Sequence, residues 1–431
     1  MAGKEPVPGP TVADRPWRLQ SAVVGAGILV GSYDLGAISV AFAPLRTRWH
    51  LTSAVVTTLG TATLLGMLIG SLATGFLADR MGRRRLLVAD VVLFVVTAAV
   101  GAAAPDFAVL AVSRLAAGLA VGMDFAVVFP FIAETAPRSS RGRAMAWTMW
   151  AANFGTLAAY GLGALLLHAF PVNGWRAALA VGGVLALPLL LLRGQLNESS
   201  EWHVARLPKL TSVARAVVHP ARRRRLSVSA LTTFCYQLGD QGLGLVLPLL
   251  MATVLATSGT SGAVDATAVK AITIPASTLA VLLIERWGRR RLQVVGFLGR
   301  AVAFMALGLL LVILAHTSAV LVGGLLAAGY FFGAAGPDKT TVMIPAEAFP
   351  SEIRSSGQGI SQAAGRLGGI VGVTVYGLLA DLAGPGAALI LFGAAALLGA
   401  VVSLAPLGSS VASPSAPVGP GPAASRQAVE A

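Results

Sequence analysis

Asp34, Arg114, Asp124, Asp240, Asp338, Lys339 and Arg366 all stand inside long apolar runs. A charge held at the middle of a hydrocarbon layer costs about 2.5–3.5 kcal/mol even on lenient scales, so each of these residues needs a partner or a task. An aspartate beside an arginine offers one task. The arginine keeps the carboxylate ionised, and a proton arriving on the acid releases both groups. The alternative is an ion pair that never opens. Asp34 lies about 16 Å from one end of its run at 1.5 Å per residue. Arg114 enters its own run from the same side, and its long stem reaches a similar depth.

The composition explains why these residues can be read this way. The chain has 431 residues, 56% of them hydrophobic and only 12% charged, with mean hydropathy +0.78. Soluble domains carry about 25% charged residues, so most of this chain is expected in lipid. The net charge of +14 falls in short clusters between apolar runs. That pattern fits membrane topology and no nucleic-acid partner. Cys235 is the single cysteine and excludes an internal disulfide. No His or Cys cluster suggests a metal. GAAGPDKTT lacks the Gly-Lys-Ser/Thr ending of a phosphate loop, and no strand precedes GAGILVG. No enzyme and no cofactor are expected.

Runs of about 20 residues span a bilayer. Candidate spans are 21–45, 53–77, 86–104, 108–134, 145–168 and 175–193, then 227–255, 265–284, 293–315, 318–346, 357–380 and 386–407. The first is long enough to span and lacks a small-residue cleavage site, so it is read as a helix rather than a cleaved signal. The expected organisation is an N-tail over 1–20, a six-helix bundle over 21–193, a linker over 194–226, a second bundle over 227–408 and a disordered tail over 409–431. The fold class is an all-α membrane protein of twelve helices. Most Lys and Arg residues fall on one side of these spans, at Arg80–Arg85, Arg138–Arg143, 193–225 and Arg286–Arg291. Cations favour the cytoplasmic side, which puts both termini there, in a cell membrane. Arg176 and Lys270 fall near the outer boundary, whereas Asp90 and Arg300 fall near inner ends and read as structural.

The halves repeat one another. GFLADRMGRRRL at 75 matches VLLIERWGRRRL at 281, and ETAPRSSRG at 134 matches EAFPSEIRS at 347. Gly75 allows close helix approach and Gly82 a tight turn. Asp79 ends a helix where it can meet an arginine or the positive start of a neighbouring helix. With Arg80 and Arg83 it can hold the cytoplasmic side shut in one state and release it in another. In the second copy Val281 and Glu285 replace the glycine and aspartate and Arg289 follows, so a looser latch is expected there. Glu134 with Arg141, and Glu347 with Arg354, flank inner helix ends and extend this charge network.

GFLADRMGRRRL resembles the signature between helices 2 and 3 of the major facilitator superfamily, and the resemblance covers essentially all twelve spans. GSYDLGAIS, the helix containing RLAAGLAVGMD, LNESSEW and GPDKTTVMIPAEAFPSEIR resemble stretches of proton-coupled sugar porters and phosphate:proton symporters. The resemblance implies alternating access of two bundles driven by a proton gradient, in a protein that works as a monomer on a small-molecule solute. It implies proton coupling by Asp34 with Arg114, and by Asp124 as runner-up. In the positions of the phosphate porters' helix 7 binding residues stand Thr233, Gln237 and Gln241; Asp338 replaces an asparagine and Arg366 a lysine. Phosphate itself is therefore not the expected solute.

Asp338 and Lys339 project about 100° apart on a helix and are not expected to face each other. Together with Arg366 and Arg114 they suggest a cationic cavity suited to an anionic or zwitterionic solute. The alternative is that these charges satisfy one another around a neutral one. Asp240 either lines the cavity or caps a helix break between Gly239 and Gly242. Trp147, Trp150 and Asn153 read as packing residues. Helix 5 lacks the Gly-Pro stretch of drug antiporters, which favours symport of a small polar metabolite over proton-driven efflux.

Overall fold

The computed structural model describes residues 17–50, 52–198, 220–247, 250–251, 259–314 and 318–405. The tails expected at 1–15 and 409–431, and residues 199–219 of the expected linker, lie outside this range. The described residues are helical and contain no strand. The helices are α1 (Trp17–Arg48), α2 (Ser53–Met81), α3 (Arg83–Ala103), α4 (Phe107–Thr135), α5 (Arg141–Ala169) and α6 (Gly174–Gly194). After them come α7 (Pro220–Gly244), α8 (Gly259–Ala271), α9 (Thr273–Trp287), α10 (Arg289–Ile313), α11 (Ala319–Ala335), α12 (Pro337–Ala348), α13 (Arg354–Ala383) and α14 (Pro385–Ser403).

Among the described residues, eleven helical segments are long and apolar enough to cross a membrane. The seventh expected span falls on α7, whose Thr232, Thr233, Gln237, Asp240 and Gln241 make it more polar than the rest. Large aliphatic side chains point away from the protein on its flanks, Val96, Val112, Leu191 and Val302 among them. Such a surface suits hydrocarbon and not water.

Two expected spans are broken helices. Helix 8 divides into α8 and α9 around Ile272, two residues after Lys270. Pro275 lacks the N–H that would have continued the ladder. Helix 10 divides into α11 and α12 at Gly336, whose φ of −127° and ψ of −94° leave the helical region, with Pro337 restarting the helix. Both breaks present charged residues, Lys270 and Asp338–Lys339, to the protein interior.

Within the first bundle, α2 and α4 mesh through Gly66-x3-Gly70 and Gly118-x3-Gly122. Each of these glycines faces the other helix's backbone, where a Cβ would collide. Between bundles, α2 packs on α13, and α5 on α8 and α9. These two seams relate helices 2 and 11, and 5 and 8, as expected for duplicated halves.

Candidate functional site

The arginine-rich end of the molecule is shut. Asp79 reaches across from α2 to the start of α13, where its carboxylate accepts from the Ser355 N–H (3.2 Å), the Ser356 N–H (2.8 Å) and the Ser356 hydroxyl (2.7 Å). Free N–H groups and the helix dipole make such a terminus a natural seat for a carboxylate. Directly below, Gly75 and Gly359 let α2 and α13 touch, with no room for a Cβ on either. Arg83 lies fully buried between Glu134 (2.8 Å) and Asp79 (3.5 Å). Gly82 joins α2 to α3 at φ +93°, and Gly288 holds the equivalent turn at φ +79°. Only glycine adopts these angles freely.

The second copy repeats the device. Glu285 accepts from the backbone N–H of Arg143 at the start of α5 (3.0 Å) and pairs with Arg289 (2.9 Å), which also pairs with Glu347 (2.9 Å). Glu285 and Arg289 remain about a fifth exposed, whereas Asp79 and Arg83 are sealed. The two latches therefore differ in burial and in bond number.

Glu134 bonds Arg354 of the opposite bundle (2.8 Å), and Glu347 bonds Arg289. Each acid thus meets an arginine of the neighbouring inner turn, Arg83 for Glu134 and Arg289 for Glu347, and Glu134 adds a bond across the seam. Arg141 sits at the first turn of α5. Arg80 is exposed at the end of α2 and takes no part in the latch, because its helical position points away from the seam. Glu198 was not singled out by sequence reasoning. It accepts from the N–H groups of Arg83 and Arg84 and caps α3.

Between the bundles lies a cavity with about 90 Å³ of free space. A single water takes about 10–15 Å³ on this measure, so the space suits a small solute. Ser39 and Asn153 of the first bundle line it, with Gln237, Asp240, Gln241, Lys270, Asp338 and Arg366 of the second. Asp338 pairs with Lys339 at 2.5 Å, and Lys339 also donates to Ser277 (2.7 Å). This contradicts the expectation that the neighbours face apart, because the flexible lysine stem folds back at the helix break. Asn153 donates to Asp338 (2.7 Å), and Trp150 donates to Thr278 across the seam (3.0 Å). Both therefore do more than pack. Thr233 lies behind the cavity wall, bonded to its own helix at Ser229.

Arg300 also departs from expectation. It pairs with Asp240 (3.3 Å) among the rings of Tyr236, Phe304 and Tyr330. Lys270, expected near the outer boundary, is buried over the Tyr330 ring at 3.8 Å. Arg366 is buried over the Phe125 ring at 4.6 Å. Its Nε and one terminal nitrogen find no hydrogen-bond partner. Neither Lys270 nor Arg366 forms an ion pair of its own among the described residues, though Asp240, already paired with Arg300, stands near both. Two acids, Asp240 and Asp338, thus stand against four cations: Lys270, Arg300, Lys339 and Arg366.

The first bundle holds its own charges apart from this cavity. Arg114 donates to both oxygens of Asp34 at 2.9 Å, and both residues are buried. Deeper in the same bundle, Arg193 binds Asp90 (2.9 Å) and Asp124 (2.8 Å) together, and also the carbonyl of Val24. In the sequence Arg193 falls among the linker cations and Asp90 reads as structural. The long Arg193 side chain instead reaches into the bundle where Gly27 leaves space.

One sequence signal could have found part of this arrangement. Asp34 and Asp240 are 206 residues apart, the same step as Asp79 and Glu285. GMD at 122–124 and GPD at 336–338 are 214 apart, close to the 213 that separates Glu134 from Glu347. The membrane acids are therefore duplicated with the halves, whereas their arginine partners are not.

This fold, with a closed seam and a charged central cavity, is that of a membrane transporter of the major facilitator superfamily, not an enzyme. The chain belongs to the sugar (and other) transporter family, which it matches over residues 22–217 and 220–405. It is similar to a Bacillus subtilis (strain 168) protein assigned as a niacin/nicotinamide transporter, NiaP, at 27% identity over 83% of this chain and 87% of that one. It is 28% identical to the D-xylose-proton symporter-like 1 protein of Arabidopsis thaliana, over 78% and 76% of the two chains. It is 25% identical to the inorganic phosphate transporter PHO84 of Saccharomyces cerevisiae (strain ATCC 204508 / S288c), over 84% and 75%. Among solved structures it shares the fold of the proton:xylose symporter XylE bound to 6-bromo-6-deoxy-D-glucose. There the TM-score is 0.76 at 22% identity, covering 88% of this chain and 94% of that one.

Proposed function

We propose that the protein is a proton-driven symporter that brings a small anionic metabolite into the cell. It works as a monomer by alternating access between a bundle over 21–193 and a bundle over 227–408, joined by a linker over 194–226. It sits in the cell membrane with both termini cytoplasmic, and the proton gradient is its energy source.

The observation that carries this reading is the charge balance of the cavity. A buried guanidinium and a buried ammonium that share one already paired carboxylate are costly in the empty site, and an anion relieves both. Relatives of this chain are named for niacin or nicotinamide, for D-xylose and for inorganic phosphate, so the cavity is what discriminates between charged and neutral solutes.

Proton coupling rests on Asp34 and Arg114. A proton on Asp34 cancels the attraction that holds the pair, frees Arg114 and lets α1 and α4 shift. The Asp90–Arg193–Asp124 cluster supports a second site, since two acids share one cation and a proton on either balances the charge. The latches of Asp79 and Glu285 hold the cytoplasmic end closed and break when the cavity opens inward.

The test is a counterflow screen in proteoliposomes with organic acids, sugars and phosphate, recording internal pH. Exchange of small organic acids with proton uptake is expected. Exchange of neutral sugars alone would overturn the anionic reading. Asp34→Asn is expected to abolish uphill accumulation while leaving part of the exchange, and undiminished accumulation would remove Asp34 from the coupling step.

A further inference from the structure

A groove of about 630 Å³ runs up the outside of the first bundle between α1 and α5, on the half nearest the arginine-rich end. Its walls include Trp17, Arg18 and Leu29 of α1 and Arg143, Trp147 and Trp150 of α5. The transport cycle described above uses none of these side chains as a solute or proton ligand. Arg18 and Arg143 are exposed and make no ion pair among the described residues. Trp147 is half exposed, and its ring meets Trp150 edge-on at 5.5 Å.

We infer that this groove is a binding site for one anionic phospholipid. Its dimensions support that occupant. From Trp17 to Leu29 is twelve helical steps, about 18 Å at 1.5 Å per residue. Half of a bilayer's hydrocarbon is about 15 Å deep. The groove is therefore as long as one acyl chain, with apolar walls along its length and two cations at its mouth. Under the proposed orientation that mouth lies at the cytoplasmic surface, where tryptophan and arginine meet headgroups. Each arginine held near an anionic surface contributes roughly a fivefold preference, so the pair favours an anionic headgroup on the order of tenfold or more over a zwitterionic one.

The site also touches the moving parts. Trp150, on the groove wall, is the residue that donates to Thr278 on α9 across the seam. Arg143, at the mouth, gives its backbone N–H to Glu285 of the second latch. A lipid seated here packs against the closed arrangement of α5 and α9.

The test uses the full-length protein in vesicles containing either phosphatidylglycerol or phosphatidylcholine with a brominated acyl chain, which quenches nearby tryptophan fluorescence. The wild type is expected to be quenched more strongly by brominated phosphatidylglycerol at equal lipid fraction. R18Q/R143Q is expected to lose that difference, while R222Q/R223Q, which alters exposed arginines outside the groove, keeps it. W147F serves as a second variant that leaves the arginines in place, and it is expected to lose most of the headgroup-selective quenching. Equal quenching by the two lipids in the wild type would overturn the inference and give the groove to another occupant, such as the chain's own residues 1–16. Selectivity that survives both R18Q/R143Q and W147F would place the lipid elsewhere and overturn it equally.

Discussion

Replacing Asp79 by asparagine tests the latch directly. The carboxylate accepts three hydrogen bonds at the start of α13. Asparagine keeps one acceptor oxygen and turns an NH2 group toward donors. The loss is at least one charge-assisted bond, about 1.5–3 kcal/mol, plus part of the helix-terminus attraction, about 0.3–2 kcal/mol. When the seam opens, Asp79 is hydrated and both terms are already absent, so the change falls on the closed state alone. A net shift of about 2–4 kcal/mol raises the open population roughly 30- to 1,000-fold, at 1.4 kcal/mol per factor of ten. The single buried cysteine makes the assay simple. In a Cys235→Ala background, Gln358→Cys places a thiol at a fully buried position beneath the latch, where Gln358 now donates to the Phe125 carbonyl. Labelling by an impermeant maleimide in inside-out vesicles then reports opening. Asp79→Asn is expected to accelerate labelling at least about 30-fold. Glu285→Gln keeps an acceptor oxygen for the Arg143 N–H and loses the ion pair with Arg289, both partners being about a fifth exposed, and such partly solvated pairs contribute only about 0.2–1 kcal/mol, a few-fold effect. Equal labelling rates for the two variants, or no acceleration for Asp79→Asn, would refute the argument that buried helix capping holds the seam.

Three further outcomes follow from the same geometry. Arg193→Ala leaves Asp90 and Asp124 buried without their shared cation, a loss of about 3–5 kcal/mol; a large fall in the detergent melting temperature is expected, with partial rescue when Asp90→Asn is added. Gly82→Ala forces a side chain into backbone at φ +93°, at about 1–3 kcal/mol, visible as reduced folded yield on size-exclusion chromatography. Arg366→Gln is expected to weaken counterflow of organic acids at least about tenfold, the scale of one lost charge-assisted contact, without altering the melting temperature by more than a few degrees.

Much of this molecule is determined locally and so can be read along the chain. Span length and apolar content decide that it crosses a bilayer, because hydrocarbon thickness sets helix length directly. Gly82 and Gly288 mark their turns because a positive φ is a property of one residue. The duplicated motifs reveal the two halves because pairing by offset needs no coordinates.

What tertiary structure decided is which charges meet. Glu134 pairs with Arg354 across the seam, 220 residues away in sequence, since helix packing, and not sequence distance, sets contact. Lys339 folds onto its neighbour Asp338 next to the break of helix 10 at Gly336, and Lys270 is buried because helix packing brings the Tyr330 ring of another helix over it. Arg193 lies at the end of a span, yet its reach of several ångströms carries its charge to two acids on other helices. Long side chains and broken helices act over distances that a residue pattern does not encode, and the partners of a buried charge therefore emerge only when the helices are assembled.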